Sequence, residues 1–516
     1  MPADAAPSRE AGNGPVAAVS RFLAAHGDAA MLVALGVAAF AVRVYGLTAN
    51  PLWYDEVLTL ERSNRDLAWL IQDSIAGRLP PTYFLLIWVA IKLFGGSAFV
   101  LRFPSALAGA LAAPLAASIA GRIGGRWAGL AAGALVALVP NQVQSGQEAR
   151  FYSIVACLVL VALWGLLRLL DAPPPKRGKP VAWDRPAWIA YGAGTAAALL
   201  TLADSLPWLI AANLAAGFGS ARLGAGRRLF LQRWFAVQGG IVAAVAAMYL
   251  WVYANAPNLA PGIHTWWRPM FREFIPVCID STYLMRIVNS VDFDSLPTPV
   301  PGFGYAVAAL AAFGAWRLRR EPHRLALLGL AVIVLPLFLL AISGIRPSLL
   351  PRYLVWGTTP FLILAGLGAA GAPRRLQAAA CALVVALAAA NLFPYYGAET
   401  KPRWDLAAAD IARQARPGDT ILVEDLLYQP RMLTAGARAY GGLPAVDFTT
   451  DYIAALRALR TGHQLWVVYG RAIPGPLDPF RFFVVRMAPF GFPKAEYSEG
   501  RSIRVWLFRP GPARRP

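Results

Sequence analysis

The stretch "PLWYDEVLTLERS", residues 51–63, sets two adjacent carboxylates, Asp55 and Glu56, beside Trp53 and Tyr54, directly after an apolar run able to cross a membrane. Charges at such a place need water or a partner. The simplest account makes Asp55 the N-cap of a helix beginning at Glu56, whose own carboxylate suits the first helical turn. A cap accounts for one carboxylate better than for two. The choice depends on where this stretch lies relative to the bilayer.

With 516 residues, 57% hydrophobic side chains, only 15% charged ones and a mean hydropathy of +0.49, the chain is too apolar for an ordinary soluble enzyme and reads as a polytopic α-helical membrane protein. The abundant Trp and Tyr suit many membrane–water interfaces. A net charge of +20 raises the question of nucleic acid. Lys and Arg fall instead in short clusters between apolar runs, the pattern that encodes topology, so no nucleic-acid partner is expected. Cys157 and Cys381 lie in apolar runs and only Cys278 in a polar loop, which offers no disulfide framework. The histidines form no zinc motif. Residues 1–28 read as a cytoplasmic tail, and the first apolar run reads as a retained span, since no small-residue cleavage site follows it.

Runs long enough to span lie near residues 29–47, 99–120, 126–141, 151–170, 187–203, 206–222, 234–254, 302–317, 324–343, 352–372 and 375–393, about 11 transmembrane helices in all. "PPTYFLLIWVAIKLFG", residues 80–95, is too short to span. If it lies in the interface, the basic stretches "GRIGGR" (121–126), "PPPKRGKP" (173–180), "ARLGAGRRLFLQR" (221–233), "RLRREPHR" (317–324) and "PRR" (373–375) all fall on the cytoplasmic side. The preceding segment, with Leu67, Leu70, Ile71 and Ile75 at helical spacing, also lies flat on this reading. External pieces are then the loops 48–98, 141–150 and 255–301 and everything from 394 to 516. That last part alternates helix-like stretches (404–415, 428–437, 451–460) with "DTILVED" and "HQLWVVYG", and reads as a small C-terminal α/β domain expected to pack over the external loops. It carries no dinucleotide or Walker motif.

The outer face collects the chemistry. "QSGQEARFYS" brings Glu148, Arg150 and Tyr152 to the membrane edge; as an ordinary turn it would pair Glu148 with a snorkelling Arg150. Two short acidic loops on one face suggest a shared polar pocket. "SGIRPSLLPRYLVW" (343–356) sets Arg346, Arg352 and Tyr353 at the outer ends of spans, either as lipid anchors or as binders of a phosphate. "GIHTWWRPMFR" offers His264, Trp267 and Arg268, either as interface anchors or as a cover over a sugar or phosphate.

At this point the residues carry a resemblance. The first span followed by "WYDE", then "PPTYFLLIW…IKLFG", "LRFPSALAGAL", "GRIGGRWAGLAAGALVALVP", "SGQEARFYS" and "PRYLVWGTTPF" resembles the GT-C class of membrane glycosyltransferases. Within it, the chain is similar to the bacterial relatives of protein O-mannosyltransferases and of the lipid A aminoarabinose transferase. The resemblance runs in order over 29–393, the expected transmembrane glycosyltransferase domain, and "KPRWDLAAADIARQARPGDTILV" is similar to the start of the soluble tail in many relatives. It implies a GT-C fold, a polyprenyl-phosphate-linked sugar donor, a lipid, glycan or protein acceptor, and a bacterial inner membrane location with the active site facing the periplasm. It also implies that Asp55 is the catalytic carboxylate, with Glu56 its neighbour and Glu148 the acid of the next short loop. Relatives often carry His-Pro-Pro where this chain has Leu79-Pro80-Pro81, so that the role of that histidine is absent or moved, with Arg78 beside it; Asp204 lies near the place of another histidine found in some of them.

The chemistry agrees. Transfer from a lipid phosphate needs a carboxylate to orient and deprotonate the incoming hydroxyl or amine, and positive charge for the departing phosphate. Asp55 is the candidate base, Glu56 and Glu148 its shapers, and Arg78, Tyr83, Arg150, Tyr152, His264, Trp267, Arg268, Arg346, Arg352 and Tyr353 the candidate substrate binders. No cofactor is required; a divalent metal on oxygen ligands is compatible. The alternative is a transporter or flippase of lipid-linked glycans, which would carry mid-span charges or broken helices in repeated halves.

Overall fold

The computed structural model describes residues 15–173, 184–257, 300–343, 348–470, 494–499 and 502–510. Its larger part is a helical bundle. The long helices α1 (Pro15–Val44), α5 (Ala98–Gly124), α6 (Arg126–Leu138), α8 (Tyr152–Leu170), α9 (Arg185–Thr201), α10 (Leu206–Gly219), α11 (Arg227–Asn255), α12 (Phe303–Arg317), α13 (Pro322–Ile342), α14 (Val355–Ala369) and α15 (Gln377–Leu392) coincide in turn with the eleven expected spans. Among the described residues, six helical segments are long and apolar enough to cross a membrane.

Three shorter helices follow α1. They are α2 (Tyr54–Ser63), α3 (Leu67–Ala76) and α4 (Thr82–Phe94). At 1.5 Å per residue α4 reaches about 20 Å, short of a ~30 Å hydrocarbon core. It buries Tyr83, Phe84, Ile87 and Ile91 and exposes Leu86, Val89, Leu93 and Phe94, so that it has two distinct faces. Leu70 and Ile75 are buried on α3. A fourth short helix, α7 (Pro140–Gly146), lies where a polar loop would be expected, yet all seven of its residues are buried. α6 ends at Leu138, two residues before Pro140, and Pro140 starts α7, because proline suits a first helical turn and not an interior one.

Polar residues mark the two ends of the bundle. On α5, Arg102 and Arg122 are separated by a rise of about 30 Å. Around Asp171, just beyond α8, converge Arg324 (Nε–Oδ1 2.9 Å), Arg122 (Nε–Oδ2 3.1 Å), His323 (Nε2–Oδ1 3.1 Å) and Arg222 (Nη1–Oδ1 3.8 Å). Three of the basic loops recognised in the sequence, through Arg122, Arg222 and the pair His323 and Arg324, therefore meet at one end. The other end of α5 and α8 holds Arg102, Tyr152 and the "WYDE" helix.

The tail carries α16 (Trp404–Gln414), β1 (Thr420–Leu422), α17 (Gln429–Ala437), β2 (Asp447–Thr449), α18 (Tyr452–Arg460), β3 (Leu465–Gly470), β4 (Ala495–Glu499) and β5 (Ile503–Phe508). The sheet order is β2-β1-β3-β5-β4; β1 runs parallel to β2 and β3, and β5 antiparallel to β3 and β4. Strand alternation sorts the side chains: Trp466, Val468 and Val505 pack with α16 and α17, while Leu465, Val467 and Trp506 pack with Ala455 of α18. Val57 of α2 belongs to the first of these clusters, whereas Leu60, one turn on, belongs to the bundle core. α2 is thus wedged between tail and bundle, and the tail does pack against the first loop.

Helices α12 and α14 touch backbone to backbone. A Cβ on Gly368 would stand 2.0 Å from the Leu310 carbonyl oxygen, and one on Gly314 would stand 2.0 Å from that of Leu364. Gly368→Ala should lower the thermal midpoint of the detergent-solubilised protein by several degrees, the scale of about 1–3 kcal/mol of overpacking; an unchanged midpoint in a tryptophan-fluorescence melt would show that the crossing is looser than described.

Candidate active site

The α2 helix starts two residues earlier than a cap at Asp55 would require. Its N-cap is Trp53, whose backbone N–H donates to Glu56 Oε2 at 3.2 Å. Glu56 closes the N-terminus from the third helical position, and the capping role expected of Asp55 is performed by its neighbour. Adjacent positions on a helix point about 100° apart. One carboxylate therefore turns inward while the other keeps an open face.

Glu56 is fully buried. Arg102 grips it with two parallel hydrogen bonds, Nε–Oε1 2.8 Å and Nη2–Oε2 2.8 Å, while Lys401 Nζ donates to Oε2 at 2.9 Å and the Ala149 amide to Oε1 at 2.8 Å. Arg102 spends its remaining N–H groups on the carbonyls of Leu47 (2.7 Å), Asn50 (2.9 Å) and Pro51 (2.8 Å). One guanidinium thus fixes both the approach to α2 and its first turn. Burial alone would raise the Glu56 pKa, but Arg102 and Lys401 outweigh it and hold the carboxyl well below the usual range.

Asp55 is about a quarter exposed. Arg150 Nη2 stands 3.6 Å from its Oδ2 and Arg352 Nη1 stands 4.0 Å away. The first guanidinium lies over the Phe151 ring at 4.6 Å, and the second lies between Trp53 (5.6 Å) and Tyr353 (5.5 Å). Tyr152 meets Tyr353 edge-on at 6.0 Å, and Tyr83 meets Phe151 at 5.5 Å. Glu148 is buried, with Lys401 Nζ 3.7 Å from Oε1. The result is a partly open carboxylate between two cations, walled by tyrosines and backed by a sealed ion cluster.

Of the residues expected from sequence, Asp55, Glu56, Glu148, Arg150, Tyr152, Arg352, Tyr353 and, through Phe151, Tyr83 come together. Arg78 stands apart: it adopts a left-handed backbone (φ 53°) and its guanidinium lies over Tyr253 of α11, 5.5 Å from the ring centre. His264, Trp267, Arg268 and Arg346 lie outside the described residues. Among the described residues no group of three or more His, Cys, Asp or Glu is placed to hold a metal ion.

Three cations escaped sequence reasoning. Arg102 sits inside "LRFPSALAGAL" and Lys401 opens "KPRWDLAAAD", so both lie in segments that the family resemblance had marked. Arg43, buried in α1, donates to the carbonyls of Ala39 (3.0 Å), Ala137 (3.1 Å), Val136 (3.0 Å) and Gln142 (3.3 Å). The carbonyls of Ala137 and Val136 are freed where α6 breaks into α7. Arginine within an apolar run was the available signal.

Residues 78–253 match the family model described as dolichyl-phosphate-mannose-protein mannosyltransferase. The crystal structure of ArnT from Cupriavidus metallidurans bound to undecaprenyl phosphate aligns with a TM-score of 0.53 at 17% identity, over 95% of this chain and 100% of that one; the apo form of ArnT aligns at 0.52 with the same identity and coverage. The archaeal oligosaccharyltransferase AglB from Archaeoglobus fulgidus, in complex with an inhibitory peptide and a dolichol-phosphate, aligns at 0.47 with 12% identity, over 87% of this chain and 70% of that one. The sequence matches none of the curated proteins with which it was compared. The chain has the GT-C fold of membrane glycosyltransferases.

A folded-state pKa held below the unfolded value stabilises the protein above the unfolded value, and that contribution fades as the pH falls toward the folded one. Glu56→Gln should therefore melt earlier than the parent at pH 7 and lose less on acidification from pH 6 to pH 3. Parallel melting curves for the two proteins across that range would show Glu56 not to be held as described.

Proposed function

We propose that this protein transfers a sugar from a polyprenyl-phosphate donor to a hydroxyl or amine of a lipid, glycan or protein acceptor, with Asp55 as base. What carries this reading is the contrast between neighbouring carboxylates: Glu56 is sealed by Arg102, Lys401 and Ala149, whereas Asp55 keeps an open face flanked by Arg150 and Arg352. In the step, the acceptor atom bonds to the anomeric carbon. The bond from that carbon to the phosphate oxygen breaks with its electron pair going to phosphate, and Asp55 takes the acceptor proton. Arg150 and Arg352 are the groups placed to stabilise the charge on the departing phosphate. A single displacement of this kind inverts the anomeric centre. The likeness to ArnT, whose structure holds undecaprenyl phosphate, supports the donor class.

Glu56 and Glu148 serve in this reading as supports. Lys401 ties them together, so that the tail closes the back of the site. The basic end of the bundle around Asp171 supports a cytoplasmic assignment for that end, with about 11 spans and the Asp55 end outward, in the periplasm of a bacterial inner membrane.

The test is transfer of labelled sugar from a polyprenyl-phosphate donor by the purified full chain. Asp55→Asn should lose at least about a hundredfold in rate while melting close to the parent. Glu148→Gln should lose activity to a lesser degree. Transfer undiminished in both variants would remove the site from this place, and donor translocation across a vesicle membrane without transfer would make the protein a flippase.

A further inference from the structure

Beside the Asp171 cluster, about 30 Å along α5 and α8 from the carboxylate site, lies an open cavity of about 620 Å³. Its polar wall is Arg222, Arg320, Glu321, His323 and Arg324; its other wall is Gly217, Phe218 and Gly219 at the end of α10 with Ala221 and Pro322. The local charges do not balance. Among the described residues, Arg122, Arg222 and Arg324 share Asp171, Arg324 also binds Glu321, and Arg320 lines the same cavity, so these four guanidiniums against two carboxylates leave a surplus of two positive charges.

An apolar track leads into this basic pocket. Leu206, Ile210, Leu214 and Phe218 of α10 are all exposed, and their four-residue spacing sets them in one nearly straight row. The row ends at the cavity, and its continuation by four residues is Arg222. On α13, which packs against α10, Ile333, Leu337 and Leu340 are likewise exposed, while the first turn of that helix supplies His323 and Arg324 to the cavity. A pocket of surplus arginine charge at the end of an exposed hydrocarbon-compatible row has the two parts of a phospholipid's complement, headgroup and chain.

We infer that this cavity binds the phosphate headgroup of an anionic phospholipid of the leaflet at that end of the bundle, with an acyl chain lying along the α10 row. Arg222 and Arg320 face the phosphate, and Arg324 and His323 are held behind them by Asp171. The bound lipid neutralises the surplus charge and ties the end of α10 to the start of α13. The site is separate from the donor site and does not depend on the transfer reaction.

Native mass spectrometry of the full-length protein released from nanodiscs of mixed phosphatidylglycerol and phosphatidylcholine tests this. The parent should retain phosphatidylglycerol in preference to phosphatidylcholine. Arg222→Ala/Arg320→Ala should weaken that retention by about tenfold or more, the scale of losing two arginines at a membrane surface, while Arg222→Lys/Arg320→Lys, which preserves the charge and guards against loss through misfolding, should keep most of it. Equal retention by the parent and the alanine variant, or no preference between the two lipids, overturns the inference. Displacement of phosphatidylglycerol by inorganic phosphate alone would assign the cavity to a free anion and overturn the lipid assignment.

Discussion

The fork of Arg102 on Glu56 is the interaction on which the rest of the site hangs. A fully buried carboxylate is costly unless every lone pair is engaged. Here two guanidinium bonds, an ammonium and two backbone amides meet that demand. Each partner comes from a different part of the chain: Arg102 from α5, Lys401 from the approach to the tail, Ala149 from the turn after α7, Trp53 from the cap of α2 itself. Satisfying one charge therefore positions four segments. Asp55 inherits its place from that arrangement, since it is one residue away on the same rigid turn.

A second buried cation does the corresponding work one layer deeper. Among the described residues Arg43 donates to four carbonyls, and two of them, those of Val136 and Ala137, are freed by the break between α6 and α7. Unsatisfied carbonyls at membrane depth would be expensive. With Arg43 in place, the break is tolerated, and α7 turns a wholly buried, polar surface toward the site. Gln147 continues the chain of contacts, donating to the carbonyls of Arg43 (3.0 Å) and Tyr45 (2.8 Å) and accepting from Tyr395 (2.7 Å). Glu148 follows directly.

The helices of the bundle, the shortness of α4 and the alternation of the tail were legible in the sequence because each rests on local periodicity and length. So was the grouping of Asp55 with Glu148, Arg150 and Arg352, because positive charge sorts loops to one side. What was not legible was the division of labour within "DE". That depends on whether α2 starts at Tyr54 or Glu56, a shift of two positions that rotates both carboxylates, and on Arg102, which lies 46 residues further on. Arg102 stands inside an apolar motif and Lys401 at the opening of the tail, and neither position marks it as a partner of Glu56. Long-range pairing of this kind leaves no periodic trace. The β4–β5 hairpin was missed for a related reason: β4, with Glu496 and Ser498 exposed, is an edge strand whose pattern is weak until its partner is known.

The tail then has a physical reason to be where it is. Val57 is an apolar residue of α2 that is fully buried, and it shares a core with Ile421, Trp466 and Leu433 of the tail. Tyr54 packs on Tyr428 at 4.9 Å, and Arg431 reaches Glu61 at 3.4 Å. These contacts run the length of the helix that also carries Asp55. On the bundle side the same helix is held by Arg102, and from the tail side by Lys401 through the same carboxylate. The two units therefore share a hydrophobic wedge and an ion cluster, and the geometry at Asp55 is a property of both together.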